Sequence, residues 1–288
     1  MSTLPNGSRK DAFSIKARLI SALIGGLAIS WMFVHSYTFL GLAVLSTAIG
    51  GYEFVRLILV KASNPVERVF LTILLPVLTC ISGLLFLLYP ENGIVAALVL
   101  YALQIPLISV VELLFYRDVL TIKEHIVDAV FGVFYLPFVH TLGVYIYWKY
   151  GWPYALLAVT STWIFDSMAF FVGIRFGKHP LMPTISPKKT VEGSIGGFVG
   201  GFFGLWLAIR VLEFVWKQPM FPFWQIGLLS VGLWISATFG DLFESVLKRS
   251  YALKDIGNIL PGHGGWLDRI DSMLFYVPTL AILLLLFR

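Results

Sequence analysis

Two short stretches near the C-terminal end repeat one arrangement of acids. In GDLFESVLKR, residues 240–249, Asp241, Glu244, Ser245 and Lys248 recur at i, i+3, i+4 and i+7. In LDRIDS, residues 267–272, Asp268, Asp271 and Ser272 recur at i, i+3 and i+4. Such spacings place each set on one stripe of a helix. Two antiparallel helices joined by one loop would bring these carboxylates together as an oxygen-rich site suited to Mg²⁺, with Asp241, Glu244, Asp268 and Asp271 as its ligand candidates. Ordinary helix-end charge is the competing reading for Asp268 and Asp271, because acids at a helix start complement its dipole. Asp241, by contrast, closes an uncharged run that begins after Lys217. An acid at such a depth is costly and usually functional.

Between these stripes lies PGHGG, residues 261–265, in the company of Lys248, Arg249, Lys254 and Arg269. Its glycines permit backbone conformations that aim N–H groups at an anion, and His263 and Gly264 could meet a phosphate; a plain turn is the alternative. A second basic stretch, SPKKTVEG, residues 186–193, offers Ser186, Lys188, Lys189 and Thr190 ahead of a glycine-rich helix, with Glu192 as its one acid. Hydroxyls and free N–H groups at a helix start suit phosphate, although a basic loop also suits topology or anionic lipid. Asp166 interrupts the apolar run WIFDSMAFFVG and is read either as functional or as one half of an interhelical hydrogen bond. Glu53, Glu112, Asp128, Arg210 and Glu213, in or near other apolar runs, receive no chemical role. No Walker-type loop, nucleophile elbow or Cys/His zinc spacing occurs. Cys80, in an apolar run, reads as a small hydrophobe.

The elements that must carry these residues are membrane helices. Of 288 residues, 58% are hydrophobic and 13% charged, and the mean hydropathy is +0.85. Soluble domains carry about twice that charged fraction, so the fold class expected is all-α and polytopic. Nine spans are expected, near residues 19–35, 38–59, 69–89, 93–115, 127–148, 153–174, 194–214, 222–243 and 271–287, the first being retained rather than cleaved. Most of the 21 Lys and Arg residues then fall on the side of the N-terminus. Lys149, Lys217 and Arg288 fall opposite, and Arg210 lies inside a span. The positive-inside rule makes the N-terminal side cytoplasmic. Residues 1–150 read as an N-terminal membrane region, and 151–288 as a catalytic region with cytoplasmic loops at 175–193 and 244–270. In GSIGGFVGGFFG the glycines fall on two adjacent rows at steps of four, a close-packing face for a neighbouring helix in this chain or in a homodimer.

The stretch from Ser245 to Asp271, SVLKRSYALKDIGNILPGHGGWLDRID, resembles the C-terminal signature of the phosphatidate cytidylyltransferases. FGKHPLMPTISPKKTVEGSIGG and FDSMAFFVG are similar to that family's mid-chain segments. Trp266, Val191, Phe165 and Phe170 depart from its usual residues, and none of these replaces an ionisable motif residue. The resemblance implies transfer of a cytidylyl group from CTP to phosphatidate, giving CDP-diacylglycerol and pyrophosphate, with Mg²⁺ and room for a second cation. A phosphatidate oxygen is already anionic at neutral pH and needs no protein nucleophile, which accounts for the missing nucleophile motif. The resemblance makes Asp241 and Asp268 the metal ligands, with Asp271 and Glu244 beside them. Lys188, Lys189, Lys248, Arg249, Lys254 and Arg269 are then the phosphate clamps. The implied partners are CTP, phosphatidate and the bilayer, without nucleic acid. The implied location is a bacterial inner membrane, with the site facing the cytoplasm. A CTP-dependent lipid kinase, or a cytidylyltransferase acting on another lipid, is the alternative within enzymes. An ion-coupled transporter is the alternative outside them, although the acids cluster at one surface and no repeated halves are apparent.

Overall fold

Where hydropathy marks out a span, hydrogen bonding and proline decide where its helix begins, bends and stops. The computed structural model describes Phe33 and residues 35–58, 65–116, 118–251, 256–257, 259 and 264–287. Ten helices follow in order: α1 (Ser36–Ile58), α2 (Pro65–Leu88), α3 (Gly93–Ala102), α4 (Gln104–Phe115), α5 (Val119–Tyr135), α6 (Pro137–Tyr150), α7 (Trp152–Phe176), α8 (Val191–Trp216), α9 (Phe223–Ser250) and α10 (Leu267–Phe287). Among the described residues eight stretches are long and apolar enough to cross a membrane, α3 with α4 and α5 with α6 each counting as one. The span expected at 19–35 lies almost wholly outside the described residues.

Both broken spans have a proline cause. Pro106 has no N–H to donate to the carbonyl of Ala102, the residue at which α3 ends. Pro137 opens α6 directly after Leu136, the residue that separates it from α5. The fifth expected span starts too late, at 127, because Lys123 and Glu124 end the apolar run there. The helix itself begins at Val119, where the Asp118 carboxylate caps it by accepting from the Thr121 N–H at 2.9 Å. Likewise α9 continues to Ser250 and α10 starts at Leu267, so the ends of the loop expected at 244–270 are helical.

The molecule is apolar inside and out. Tyr154, Leu157, Leu205, Ile226, Leu229 and Tyr276 are fully enclosed in the main core. Large side chains such as Leu114, Phe214 and Leu286 project outward at 76%, 83% and 74% exposure. A soluble protein rarely exposes so much apolar surface; a lipid-facing one must.

The glycine face of α8 is used within the chain. A Cβ on Gly197 would meet Ala169 and Phe165, one on Gly193 the Ala169 carbonyl, and one on Gly200 Met168, so α8 lies backbone-close along α7. This face is therefore no argument for a homodimer. Between these two helices a small antiparallel hairpin, β1 (Pro180–Met182) and β2 (Ser186–Thr190), pairs Pro180 with Thr190 and Met182 with Ser186. It was not foreseen from the sequence, and it fixes the basic stretch over the end of α7.

Candidate active site

Gly240 is the point from which the site is built. A Cβ there would stand 2.8 Å from the Asp271 carbonyl oxygen and 3.1 Å from Ser272 Cα, so α9 and α10 touch backbone to backbone. Only glycine permits that approach, and it sets the next residue, Asp241, beside Asp271. Ligand oxygens of Asp241, Glu244 and Asp271 lie within 4.8 Å of one another. Glu244 and Asp271 are buried, and Glu244 Oε1 has no hydrogen-bond partner.

Cations and donors surround the trio. Lys189, from β2, forms an ion pair with Asp241. Lys248 lies 2.8 Å from Asp268 and 3.4 Å from Glu244. The other Asp268 oxygen accepts from the Gly265 N–H at 2.9 Å, next to Gly264 with φ +84°, a conformation that favours glycine. Asp268 thus holds Lys248 and its own loop while its side chain also reaches Glu244 of the trio. Asp166 joins from α7, accepting from Ser272 Oγ at 3.4 Å. Five carboxylates here face two lysines. An all-oxygen donor set with excess negative charge and an orphaned buried oxygen fits a hard divalent cation such as Mg²⁺.

Two cavities open onto this cluster. One, of about 690 Å³, lies under the β-hairpin, and its wall mixes the apolar Phe165, Phe170, Ile174 and Leu181 with Ser186, Lys188, Lys189, Thr190, Thr238 and Asp241. The other, of about 460 Å³, runs between α1, α6, α7 and α10. Its wall is mostly apolar, with Phe39, Leu42, Val139 and Met273, and it reaches Asp268, Arg269 and Asp271 at one end. Asp166 lines both.

Several expected residues take other places. Thr190 faces the larger cavity and also caps α8, its hydroxyl accepting from the Gly193 N–H at 3.1 Å. Glu192 does not line that cavity; it accepts from the backbone N–H groups of Lys178 and His179 at 3.0 and 3.2 Å and fastens the hairpin instead. Arg249 is exposed at the end of α9. Lys254 and His263 lie outside the described residues.

Residues left without a role by the sequence hold the α9–α10 loop in place. Glu53, buried in α1, accepts from the Leu267 N–H at 2.9 Å. A Cβ on Gly257 or Gly265 would run into its carboxylate. Trp266 Nε1 donates to Ser46 Oγ at 2.9 Å, Ser46 lies 2.7 Å from His140 Nε2, and His140 Nδ1 lies 2.9 Å from the Leu136 carbonyl. If Nδ1 carries the proton, every member of this chain is satisfied: Nε2 accepts from Ser46, and Ser46 accepts from the indole. Just past the end of α9, burial and the Asp128 carboxylate push the Tyr251 phenol up to about 12, so it stays a donor toward α5.

The fold and site define a polytopic membrane protein with an acidic centre placed between a lysine-bearing chamber and one walled mostly by apolar side chains. The chain belongs to the cytidylyltransferase family, whose model it matches over residues 16–287. It is similar to the phosphatidate cytidylyltransferase of Thermotoga maritima, with 33% identity over 265 residues, covering 92% of this chain and 94% of that one. The phosphatidate cytidylyltransferase of Bacillus subtilis is 45% identical over 142 residues, 48% of this chain and 50% of that one. That of Staphylococcus saprophyticus is 37% identical over 160 residues, 55% of this chain and 60% of that one.

Proposed function

We propose that this protein transfers the cytidylyl group of CTP to phosphatidate, releasing pyrophosphate and leaving CDP-diacylglycerol in the membrane. The observation that carries this reading is the pair of cavities, one bearing Lys188 and Lys189 and one walled mostly by apolar side chains without a lysine, that share Asp166 beside the carboxylate trio. A triphosphate needs the cations of the one and a two-chain lipid the apolar wall of the other, with a shared end where they react.

In this reading the triphosphate lies under the β-hairpin, held by Lys188, Lys189, Ser186 and the exposed start of α8. The acyl chains enter the apolar cavity, and Arg269 and Lys248 turn the lipid phosphate toward the trio. A phosphatidate oxygen forms a bond to the α-phosphorus of CTP as the bond to the β-phosphate oxygen breaks. Both reacting groups are already anionic, so no proton has to move first. Asp241, Glu244 and Asp271 would hold Mg²⁺, which when bound offsets charge on the triphosphate and on the departing pyrophosphate. Asp268 steers Lys248 and the turn at Gly264. Confinement between α7, α9 and α10 keeps water from competing for the α-phosphorus. Residues 151–288 contain the trio and its cations, while residues 1–150 brace them through Glu53, Ser46 and His140. The site faces the cytoplasm of a bacterial inner membrane, as the lysine and arginine asymmetry favours.

The test is turnover by purified protein with phosphatidate and CTP labelled in either the cytidine or the γ-phosphate, with and without Mg²⁺. Cytidine label should enter the lipid phase only when Mg²⁺ is present. Entry of γ-label into lipid would replace this reading with a lipid kinase, and no entry of either would remove both.

A further inference from the structure

A second polar cluster lies apart from the carboxylate trio, where α2, α4 and α5 meet. Glu67 stands in the first turn of α2, Glu112 in the last turn of α4 and His125 two turns into α5. The two helices α4 and α5 pack against each other, which brings Glu112 and His125 together. All three residues are more than nine-tenths buried, at 0%, 1% and 6% exposure. Glu67 Oε1, Glu112 Oε2 and His125 Nδ1 are each enclosed and without a hydrogen-bond partner, and their ligand atoms lie within 4.8 Å of one another.

The spacing is informative. His125 Nδ1 is 3.3 Å from Glu67 Oε1 and 3.4 Å from Glu112 Oε2. A protonated imidazole clamped by carboxylates would close to about 2.7–2.9 Å of one of them. Atoms bound to a tetrahedral Zn²⁺ at about 2.0–2.1 Å stand roughly 3.3–3.4 Å from each other. The second oxygen of Glu67 accepts from the Tyr116 hydroxyl, which leaves Oε1 pointing inward, as an outer hydrogen bond does for a metal-binding carboxylate. With both carboxylates ionised and the imidazole neutral the three carry two negative charges, which a divalent ion would cancel.

We infer that Glu67, Glu112 and His125 form a binding site for a borderline divalent transition metal of the Zn²⁺ class, separate from the hard-cation site of Asp241, Glu244 and Asp271. The mixed nitrogen and oxygen set and the enclosed position suit Zn²⁺ or Co²⁺ better than Mg²⁺, which prefers oxygen and keeps several waters. The ion ties three helices together beside Asp128, the partner of Tyr251 at the end of α9. Its role is to brace the N-terminal helices under the catalytic loop.

The experiment uses the full chain in detergent, stripped with EDTA and titrated with Co²⁺ in excess Mg²⁺ so that the oxygen-only site is filled. About one equivalent should give the visible absorption of low-symmetry Co²⁺ and be displaced by Zn²⁺. Asp241→Asn should bind Co²⁺ as the parent does while losing turnover, so failure of this proposal and failure of the catalytic reading are told apart. His125→Gln and Glu112→Gln should lose the signal. Tyr116→Phe, which keeps all three ligands, should weaken affinity about 10- to 100-fold. Absence of Co²⁺ and Zn²⁺ uptake by the unaltered chain would overturn the site, as would uptake that survives both ligand substitutions.

Discussion

Gly240→Ala tests whether backbone contact between α9 and α10 sets the spacing of the carboxylates. The added Cβ would lie 2.8 Å from the Asp271 carbonyl oxygen and 3.1 Å from Ser272 Cα, against 3.4 Å for ordinary contact. The shortfall is therefore about 0.6 Å. The obstacle is backbone, which cannot swing aside, so the helices must part by about that distance where Asp241 and Asp271 face each other. Alanine gains roughly 1 kcal/mol in helix propensity, while overpacking a tight contact costs about 1–3 kcal/mol. The net expectation is a loss of stability of up to about 2 kcal/mol. Activity should suffer more, because a misplacement near 1 Å costs about 100-fold in rate; a drop of about 10- to 100-fold is expected. Gly227→Ala in the same helix is the control: nothing lies within 4 Å of its Cβ, so it should be neutral or stabilising with unchanged turnover. Thermal unfolding in detergent and CTP turnover read both quantities. Turnover of Gly240→Ala within twofold of the parent, with no loss of stability, would refute the reasoning.

Lys189→Met removes the partner of Asp241 and a cation of the cavity under the hairpin, and should raise the KM for CTP about 10- to 100-fold, the cost of one charge-assisted hydrogen bond; a KM equal to the parent's would take Lys189 out of the nucleotide site. Glu53→Leu removes the acceptor of the Leu267 N–H and should destabilise by about 1–3 kcal/mol while lowering kcat, because the start of α10 loses its anchor. Equal stability of that variant would mean that the loop is held elsewhere. Trp266→Phe keeps the ring but drops the indole bond to Ser46. It should cost about 1 kcal/mol, seen as a lower midpoint in thermal unfolding, with the KM for CTP unchanged.

Much of the fold was legible because lipid demands a long apolar run for every crossing. What hydropathy could not tell was where helices outlast the membrane. Lys123, Glu124, Lys248 and Arg249 all sit in helices, since Asp118 caps one and α9 simply continues past the apolar stretch. The breaks at Leu103 and Leu136 follow from Pro106 and Pro137, both visible in the sequence, yet an apolar window runs across them unaltered. The β-hairpin is a short polar turn whose pairing depends on α7 and α8 lying side by side, a tertiary fact with little local signal.

The carboxylate stripes were legible for a similar reason: a three- and four-residue spacing on two helices joined by one loop leaves few ways to meet. The spacing did not determine which acid faces which neighbour. Asp268 and Asp271 share a stripe, but Gly240 draws Asp271 against α9, while Lys248 and the Gly265 N–H take both oxygens of Asp268. Glu53, Glu67 and Glu112 show the wider difficulty. Nothing in the sequence assigns a role to any of them, and each is buried. In a membrane protein an acid near the end of a span has two ways to avoid lipid, outward to the headgroups or inward to a donor or a cation. Sequence position is the same for both. Inward burial requires a partner that comes from another helix, such as the Leu267 N–H for Glu53 or the Tyr116 hydroxyl for Glu67. An unassigned acid in such a span is therefore better read as a missing contact to be found than as a surface charge.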